Sequence, residues 1–409
     1  MESTEKLKKI NDGSMFPQNY DETYLATKHI SKIKLEVPLN IINIIEEKLQ
    51  DENIFVYDKS IIYQIVIGLI KGNIILQGPP GTGKTTIAKV ICESFNIESD
   101  IVTATSDWTT YDTIGGFQPE IDDDGNEVIV GKNGRIIDSV INCSNKILQK
   151  KIDSDYAGNQ GTWLIIDELN RSEIDKVFGD LFTVFSGSDS NDKSINLWFH
   201  KNKNKKKIFI PQKFRIIGVI NNIDKNFIFN LSQGLSRRFT FIDINPPSKT
   251  NFDKEIKFIK TKKIKDRLLE KISGDLSNII THEKIETIYE DEIFKNSEKI
   301  LIKLCKRIRY DSDEENNEWL GLNIGTAQII DLYETILLNL LLNRYLTKDS
   351  DEKKEFVIET IDRSVRSRIV PQMDGHFYNR VKNFLEYLES DDELKTFENT
   401  IRHISKYIL

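Results

Sequence analysis

Two hydrophobic patterns divide the chain. Between about residue 60 and residue 245, short apolar runs alternate with segments in which apolar residues recur at helical spacing. This alternation predicts an α/β domain, a parallel sheet with helices on both faces. The predicted strands are Asn73–Gln77, Ile101–Ala104, Thr162–Asp167, Phe214–Ile220 and Phe239–Ile244. Beyond Pro246 and Pro247 the pattern is almost wholly helical, which predicts an all-α region.

The same patterns predict helices outside the sheet region and set the domain boundaries. They predict a short helix over 37–49, a helix from Lys59 to about Ile70 with Asp58 as its N-cap, a buried helix within Ile324–Leu346 and a charged linker at Asp349–Glu355. The predicted organisation is a polar and helical segment 1–55, an α/β domain 56–247, a helical lid 248–348 and a helical extension 349–409. Two hairpin insertions are expected in the α/β domain, at about 117–135 and 195–211. The strands of the second are predicted at Ile195–Phe199 and Ile208–Ile210.

Composition narrows the class of protein without identifying it. The 409 residues are 30% charged with a formal net charge of −7, which argues against indiscriminate binding to nucleic acid. The three cysteines are far apart and give no disulfide framework or zinc site, as is typical of a reducing compartment. The longest apolar run, 61–76, is interrupted by polar residues and is too short to span a bilayer. We therefore expect a cytoplasmic protein with no membrane partner.

A phosphate-binding loop is the most specific motif. Residues 78–85 read Gly-Pro-Pro-Gly-Thr-Gly-Lys-Thr and join a predicted strand to a predicted helix, the context that such a loop requires. Its backbone N–H groups surround phosphate oxygens at a helix N-terminus. Lys84 is expected to reach the β- and γ-phosphates, and the Thr85 hydroxyl to bind Mg²⁺. The residues predicted to bind nucleotide are Gly78, Pro79, Pro80, Gly81, Thr82, Gly83, Lys84, Thr85, Thr86 and Asp167.

Two further strands end in polar side chains suited to hydrolysis. The run Trp163–Ile166 leads into Asp167 and Glu168, at the strand end where ligands bind in open α/β sheets. Asp167 is expected to hold Mg²⁺ together with Thr85, and Glu168 to orient and polarise the attacking water. Asn221 follows the next buried run, and its amide can bind both that water and a γ-phosphate oxygen.

Arg237 and Arg238 stand directly before the last predicted strand. This position is poorly suited to serving the same chain's phosphate-binding loop, but well suited to reaching the γ-phosphate of a neighbouring subunit. An arginine supplied in trans raises hydrolysis rates by roughly 10³–10⁵ in nucleotide hydrolases. The alternative is a surface basic pair without a catalytic role.

The order of these motifs resembles the AAA+ ATPases, specifically the MoxR, McrB and dynein-related branch. The segment 166–171, Ile-Asp-Glu-Leu-Asn-Arg, is similar to a signature of that branch, as are 218–224 and 236–239. The resemblance covers 61–247 well and the helical remainder loosely. It implies Mg²⁺, ATP or GTP as substrate and a ring of subunits, expected to be a hexamer. At 325–328, where many relatives carry a second sensor arginine, no arginine occurs, and Arg309 is a weak substitute.

The two predicted hairpins suggest where a partner binds. The first resembles the hairpin that this branch inserts in its second helix, and Trp108 and Tyr111 are interpreted as residues that pack against it. The tip of the second, Lys201–Lys207, holds five lysines in seven residues. Repeated around a ring, this tip could bind nucleic acid or an acidic protein segment, or it is simply a solvated loop. Without aromatic residues at the tip, stacking with bases is not expected.

Three functions remain open at this point. The first is an ATPase that acts as an oligomeric ring and remodels or translocates a partner protein or nucleic acid. The second is a GTP-preferring, McrB-like motor of a restriction or defence system whose nuclease is a separate subunit. The third is a nucleotide-dependent switch with little turnover.

Overall fold

The computed structural model describes residues 20–52, 54–153, 155–179, 181–185, 193–200, 206–221, 234, 237–260, 264–270, 273–310, 322, 324–373 and 378–407. They form two compact units. The first contains the described residues up to Gly78 and those from Lys84 to Ile244, and the second contains Pro79–Gly83 and the described residues from Asn245 onward.

The described residues of the first unit form nine strands and eight helices. The helices are α1 (Tyr20–Ile30), α2 (Ile41–Asp51), α3 (Ser60–Lys71), α4 (Lys84–Ser94), α5 (Thr110–Thr113), α6 (Arg135–Ile152), α7 (Ile174–Phe178) and α8 (Leu181–Phe185). The strands are β1 (Asn73–Gly78), β2 (Glu98–Thr103), β3 (Gly115–Ile121), β4 (Glu127–Asn133), β5 (Thr162–Asp167), β6 (Ser194–Asn196), β7 (Lys207–Phe209), β8 (Ile216–Asn221) and β9 (Phe239–Asp243).

Five of these strands form one parallel sheet in the order β2-β5-β8-β1-β9. The central strands are rich in isoleucine and leucine because both faces of the sheet are covered. One core contains α3 and α4 and the other contains α6 and α7. The predicted parallel sheet flanked by helices is confirmed, with strand ends shifted by one to three residues; β2, for instance, begins at Glu98 rather than Ile101.

Both predicted hairpins are present in the described residues. In the first, β3 pairs antiparallel with β4 from Gly115↔Asn133 to Ile121↔Glu127, so it begins and ends two residues earlier than predicted. In the second, β6 pairs with β7 and Ile195 faces Ile208. The predicted strand through Phe199 is wrong in its second half, because β6 ends at Asn196 and Trp198 lies in a turn.

The second unit is helical around its own core. Its helices are α9 (Phe252–Phe258), α10 (Ile264–Glu270), α11 (His282–Glu290), α12 (Glu292–Arg309), α13 (Thr326–Leu342), α14 (Ser350–Arg368), α15 (Tyr378–Ser390) and α16 (Glu398–Ser405). One hydrophobic core runs from Phe252 to Ile404 through all of them. Within the described part of the chain, no helix is long and apolar enough to cross a membrane.

Three local predictions differ from the structure. The charged segment 349–355 is not a linker but the start of α14, because the Asp349 carboxylate caps the helix by accepting the N–H groups of residues 351 and 352. Helix α2 begins at Ile41 rather than at residue 37, because Pro38 disfavours a helical conformation at Val37, the residue before it. Asp58 accepts the N–H of Ser60 at 2.8 Å, although α3 has Lys59 at its N-cap position. The predicted four-part domain division stays a prediction.

The helical unit contains a buried ion pair, and substituting one partner tests how far the stability of the unit depends on it. Glu255 on α9 and Arg309 on α12 are 0% and 2% exposed, and their charged atoms lie 2.5 Å apart. We expect Glu255→Ala to lower the free energy of unfolding by about 3–5 kcal/mol, because it leaves a buried guanidinium without a counter-ion. Urea unfolding measures this loss. The matched control is Glu292→Ala, which breaks an exposed pair with Lys295 and should cause no measurable change. Equal effects of the two substitutions would contradict the prediction.

Candidate functional site

The predicted phosphate-binding loop connects β1 to α4 in a tight turn. Gly81 and Gly83 have φ angles of 76° and 82°, a left-handed conformation that residues with a Cβ rarely adopt. The Thr82 hydroxyl donates to the carbonyl of Pro79 at 3.0 Å. Helix α4 starts at Lys84, so the loop ends at a helix N-terminus, where backbone N–H groups favour an anion.

Lys84 is the buried cation of the loop. It is 4% exposed, and its Nζ donates to the carbonyl of Gly78 at 3.0 Å. Burial lowers the pKa of Lys84 to about 8, and the negative charges of Glu168 and Asp167 offset part of this shift. An anion bound at the loop would stabilise the ammonium form and raise the pKa again.

Thr85 and Asp167 meet next to this lysine. The Thr85 hydroxyl, on the first turn of α4, donates to Oδ2 of Asp167 at the end of β5, at 2.9 Å. A hydroxyl and a carboxylate are hard oxygen ligands of the kind that Mg²⁺ prefers. The two residues predicted to hold the metal are therefore side by side.

Glu168 occupies a conformation that costs energy. Its φ is 54°, in the left-handed region that is unfavourable for non-glycine residues by about 1–2 kcal/mol. Both carboxylate oxygens have partners: Asn221 Nδ2 donates to Oε1 at 2.6 Å, and Arg171 Nε lies 3.2 Å from Oε2. Such strain at a polar residue is typical of functional sites. The structure thus brings Glu168 and Asn221 into direct contact.

Asn170 is a residue of the site to which the sequence argument assigned no role. It is fully buried, and its side chain donates to the carbonyl of Asn221 at 3.2 Å and accepts the N–H of Asn221 at 3.4 Å. It therefore joins the segment after β5 to the end of β8 and sets the position of Asn221. Its place in the Asp-Glu-Leu-Asn-Arg segment was the only available signal.

Arg237 and Arg238 are not part of this cluster. They directly precede β9, at the end of the sheet where the parallel strands begin, whereas the loop and carboxylates lie where the strands end. Arg237 is exposed, and Arg238 donates to the carbonyl of Gly234 at 2.5 Å. Residues 222–224 and 236, which contributed to the resemblance, lie outside the described residues.

The two hairpins present exposed aromatic side chains that contact each other, Phe117 from the first and Trp198 from the second. Trp198 is 64% exposed and its ring meets that of Phe117 edge to face, with 5.4 Å between centroids. Trp198 lies in the turn that follows β6 rather than in a paired strand. Tyr111 packs against Gly116 of the first hairpin, as predicted. Of the basic tip, 201–205 lie outside the described residues, and Lys206 and Lys207 are exposed.

The helical unit supplies a separate contact to the loop residues grouped with it. The N–H of Ala327, in the first turn of α13, donates to the carbonyl of Gly81 at 3.0 Å. Arg309, the weak substitute for a second sensor arginine, is buried in its ion pair with Glu255.

Comparison with known proteins agrees with this geometry. The model of the AAA domain (dynein-related subfamily) matches residues 73–239. The chain is 29% identical over 183 residues to the "Type IV methyl-directed restriction enzyme EcoKMcrB subunit" of Escherichia coli (strain K12). That alignment covers 43% of this chain and 36% of the relative, so the chain spans about a third of the relative's length.

A solved structure is also similar over most of the chain. The crystal structure of a "putative ATPase" from Cytophaga hutchinsonii aligns with 89% of this chain and 95% of its own, at 16% identity and a TM-score of 0.36. The family match to 73–239 spans the strands, loop and carboxylates described above. Residues 73–239 therefore match an AAA domain of the dynein-related subfamily.

Proposed function

We propose that the chain is a Mg²⁺-dependent nucleoside triphosphatase that hydrolyses ATP as part of an oligomeric ring. The observation that carries this proposal is the cluster at the ends of β1, β5 and β8. There a buried lysine, a hydroxyl–carboxylate pair and a glutamate–amide pair lie within one hydrogen-bonded region. Positioning and electrostatic stabilisation provide most of the catalysis in phosphoryl transfer, and these side chains are suited to both.

Each side chain has a distinct role in the proposed reaction. The loop N–H groups and Lys84 bind the triphosphate, while Thr85 and Asp167 would hold Mg²⁺, which would supply positive charge next to the phosphates. Glu168 orients the attacking water and accepts its proton. Because Asn221 already donates to Glu168 at 2.6 Å, it fixes the carboxylate that aligns this water.

The distance between the two ends of the sheet supports an arginine acting in trans. Phe239, which follows Arg238, pairs with Asn73 at the start of β1, and the loop begins after Gly78. These five residue steps along a strand amount to roughly 17 Å, longer than an arginine side chain. We therefore infer that Arg237 and Arg238 act on the nucleotide of a neighbouring subunit, and that a closed ring, a hexamer, satisfies every site.

Hydrolysis in such a ring would move the hairpins and so remodel or translocate a partner. A second candidate is supported by the similarity to the McrB subunit: a GTP-preferring motor whose nuclease is a separate chain. A third candidate, a switch with little turnover, is supported by the two partners that already hold Glu168. Initial rates with ATP and with GTP separate the three, since the switch binds nucleotide but turns over neither.

Glu168→Gln should keep nucleotide binding and reduce the hydrolysis rate by roughly 10²–10⁴, because an amide cannot accept the proton of the attacking water. Lys84→Ala should abolish nucleotide binding. Phosphate release measures the hydrolysis rate, and a fluorescent-nucleotide titration measures binding. The matched control is Glu173→Gln, which alters a nearby exposed pair with Lys176 and should leave both unchanged. Full hydrolysis by Glu168→Gln would exclude Glu168 as the group that activates water.

Nucleotide binding should take up a proton above pH 8. The pKa of Lys84 in the free protein is about 8, so the side chain is increasingly neutral as the pH rises, and binding of phosphate requires the charged form. Uptake should grow from about half a proton at pH 8 to nearly one at pH 9, and affinity should fall over this range. Calorimetry with a non-hydrolysable analogue in two buffers of different ionisation enthalpy measures the uptake. The control is Lys89→Ala, at an exposed position of α4, which should show the same proton uptake as the parent protein. No uptake at pH 9 in the parent protein would contradict the prediction.

Mixing two inactive variants tests the shared site. Arg238→Ala lacks the proposed arginine but keeps an intact loop and Glu168, whereas Glu168→Gln keeps the arginine. Mixed rings should therefore recover part of the turnover, because some interfaces combine an intact Glu168 with an intact arginine. Hydrolysis measured across mixing ratios should peak at an intermediate ratio. A flat response at every ratio would show that the site is not completed in trans.

A further inference from the structure

The start of helix α13 lies directly against the nucleotide-binding loop. Residues Pro79–Gly83 of the loop belong to the same compact unit as α13. A Cβ on Gly325, the residue before the helix, would come 2.5 Å from both the carbonyl carbon and the carbonyl oxygen of Gly81. Atoms that are not bonded to each other do not approach so closely. Glycine, which has no Cβ, therefore allows the two backbones to touch.

One hydrogen bond fixes the direction of the peptide between Gly81 and Thr82. The carbonyl of Gly81 accepts the N–H of Ala327, in the first turn of α13, at 3.0 Å. In a planar trans peptide the N–H points opposite to the carbonyl, so the N–H of Thr82 is directed away from α13. Among the described residues, this N–H has no acceptor. It is therefore an available donor in a loop whose N–H groups are expected to bind phosphate.

Gln328 holds the start of α13 in this position. Its side-chain oxygen accepts the N–H of Gly325 and so bridges the first turn of the helix. The same oxygen lies next to Gly81, where an added Cβ would be 2.8 Å from it. The amide nitrogen of Gln328 donates to Oε1 of Gln372 at 3.1 Å, and Gln372 donates to the carbonyl of Arg368, at the end of α14, at 2.8 Å. One side chain thus connects the loop contact to two helices.

We propose that Gln328 is a positioning residue for nucleotide binding, and that it acts on the phosphates through the backbone of the loop. It keeps the N–H of Ala327 on the carbonyl of Gly81, and this bond directs the N–H of Thr82 at the bound phosphate. The inference rests on the proposed function, because it requires a nucleotide in the loop. Gln328 is uncharged and both of its polar atoms have partners, so its effect needs no contact with the nucleotide.

This role differs from that of an arginine that binds the γ-phosphate. Such an arginine stabilises a bound triphosphate more than a bound diphosphate, because only the triphosphate has the group that it contacts. The loop N–H groups instead contact phosphates that ATP and ADP share. Loss of Gln328 should therefore weaken the binding of both nucleotides by the same factor. The ratio of the two affinities separates an effect on the loop from an effect at the γ-phosphate.

The first test compares Gln328→Leu, which removes both hydrogen bonds at similar side-chain size, with Gln328→Glu, whose carboxylate still accepts the N–H of Gly325. For Gln328→Leu, the Kd of ADP and that of a non-hydrolysable ATP analogue should both rise roughly three- to tenfold, the effect of losing about one hydrogen bond. Gln328→Glu should restore most of the affinity. In hydrolysis by Gln328→Leu, KM should rise while kcat stays within about twofold, because bound phosphate itself orders the loop. Calorimetric titration well below the melting temperature of each variant measures Kd.

A second substitution tests the backbone contact independently. Gly325→Ala places a Cβ against Gly81 and should weaken both nucleotides at least as much, because the start of α13 must move off the loop. Its matched control is Gly72→Ala, where a Cβ meets no atom within 4 Å. The control for the amide is Gln149→Leu, at an exposed position of α6. Both controls should bind nucleotide as the parent protein does.

Each outcome decides the inference. Unchanged affinities in Gln328→Leu and Gly325→Ala, even with lowered melting temperatures, would show that α13 has only a structural role. Weaker binding of the ATP analogue with unchanged binding of ADP would place the effect at the γ-phosphate and also contradict the inference. If the parent binds both nucleotides without hydrolysing ATP, and both variants bind them more weakly by equal factors, the inference stands while the proposed hydrolysis fails. A parent that binds neither nucleotide overturns both.

Discussion

The candidate site depends on three neighbouring parallel strands that end at the same edge of one sheet. Ile166 of β5 pairs with Gly218 of β8, and Asn221 at the end of β8 pairs with Gly78 at the end of β1. Because the strands run in one direction, whatever follows each of them emerges at this edge. The loop follows β1, the carboxylates follow β5 and the amide follows β8. A slip of one residue in this register would point every side chain of a strand to the opposite face and separate the cluster.

The backbone around Glu168 is held in place by packing behind it. Leu169 lies against β8, where a Cβ on Gly218 would come within 2.8 Å of Cδ2 of Leu169 and 3.1 Å of Cγ1 of Ile75. Glycine inside a strand is normally unfavourable, and here it makes room for the turn that presents the carboxylate. The buried Asn170 adds to this support by bonding the backbone of Asn221. The left-handed conformation of Glu168 thus persists because the two residues that follow it are held in place.

Much of the sheet and the cluster could be predicted from the sequence, because buried parallel strands appear as apolar runs and each run here ends in a recognisable polar residue. The roles of Asn170 and Gly218 could not, since both depend on contacts between segments about fifty residues apart. Composition predicts a linker at the start of α14, because it does not distinguish a charged loop from a capped helix. The hydrogen bonds that Asp349 accepts identify the capped helix. Trp198 was placed in a strand because an apolar run carries no information about where pairing stops.

Under the proposed function, the arrangement of the first unit makes hydrolysis depend on a second copy. The positive charges assigned to the γ-phosphate lie at opposite ends of the strands: Lys84 is buried where they end, and Arg237 is exposed where they begin. A cation such as Lys84, which would contact the nucleotide bound to its own chain, keeps that contact whether or not a neighbouring subunit is present. In the proposed reaction, the exposed arginine would act only when another copy docks, so hydrolysis would depend on assembly.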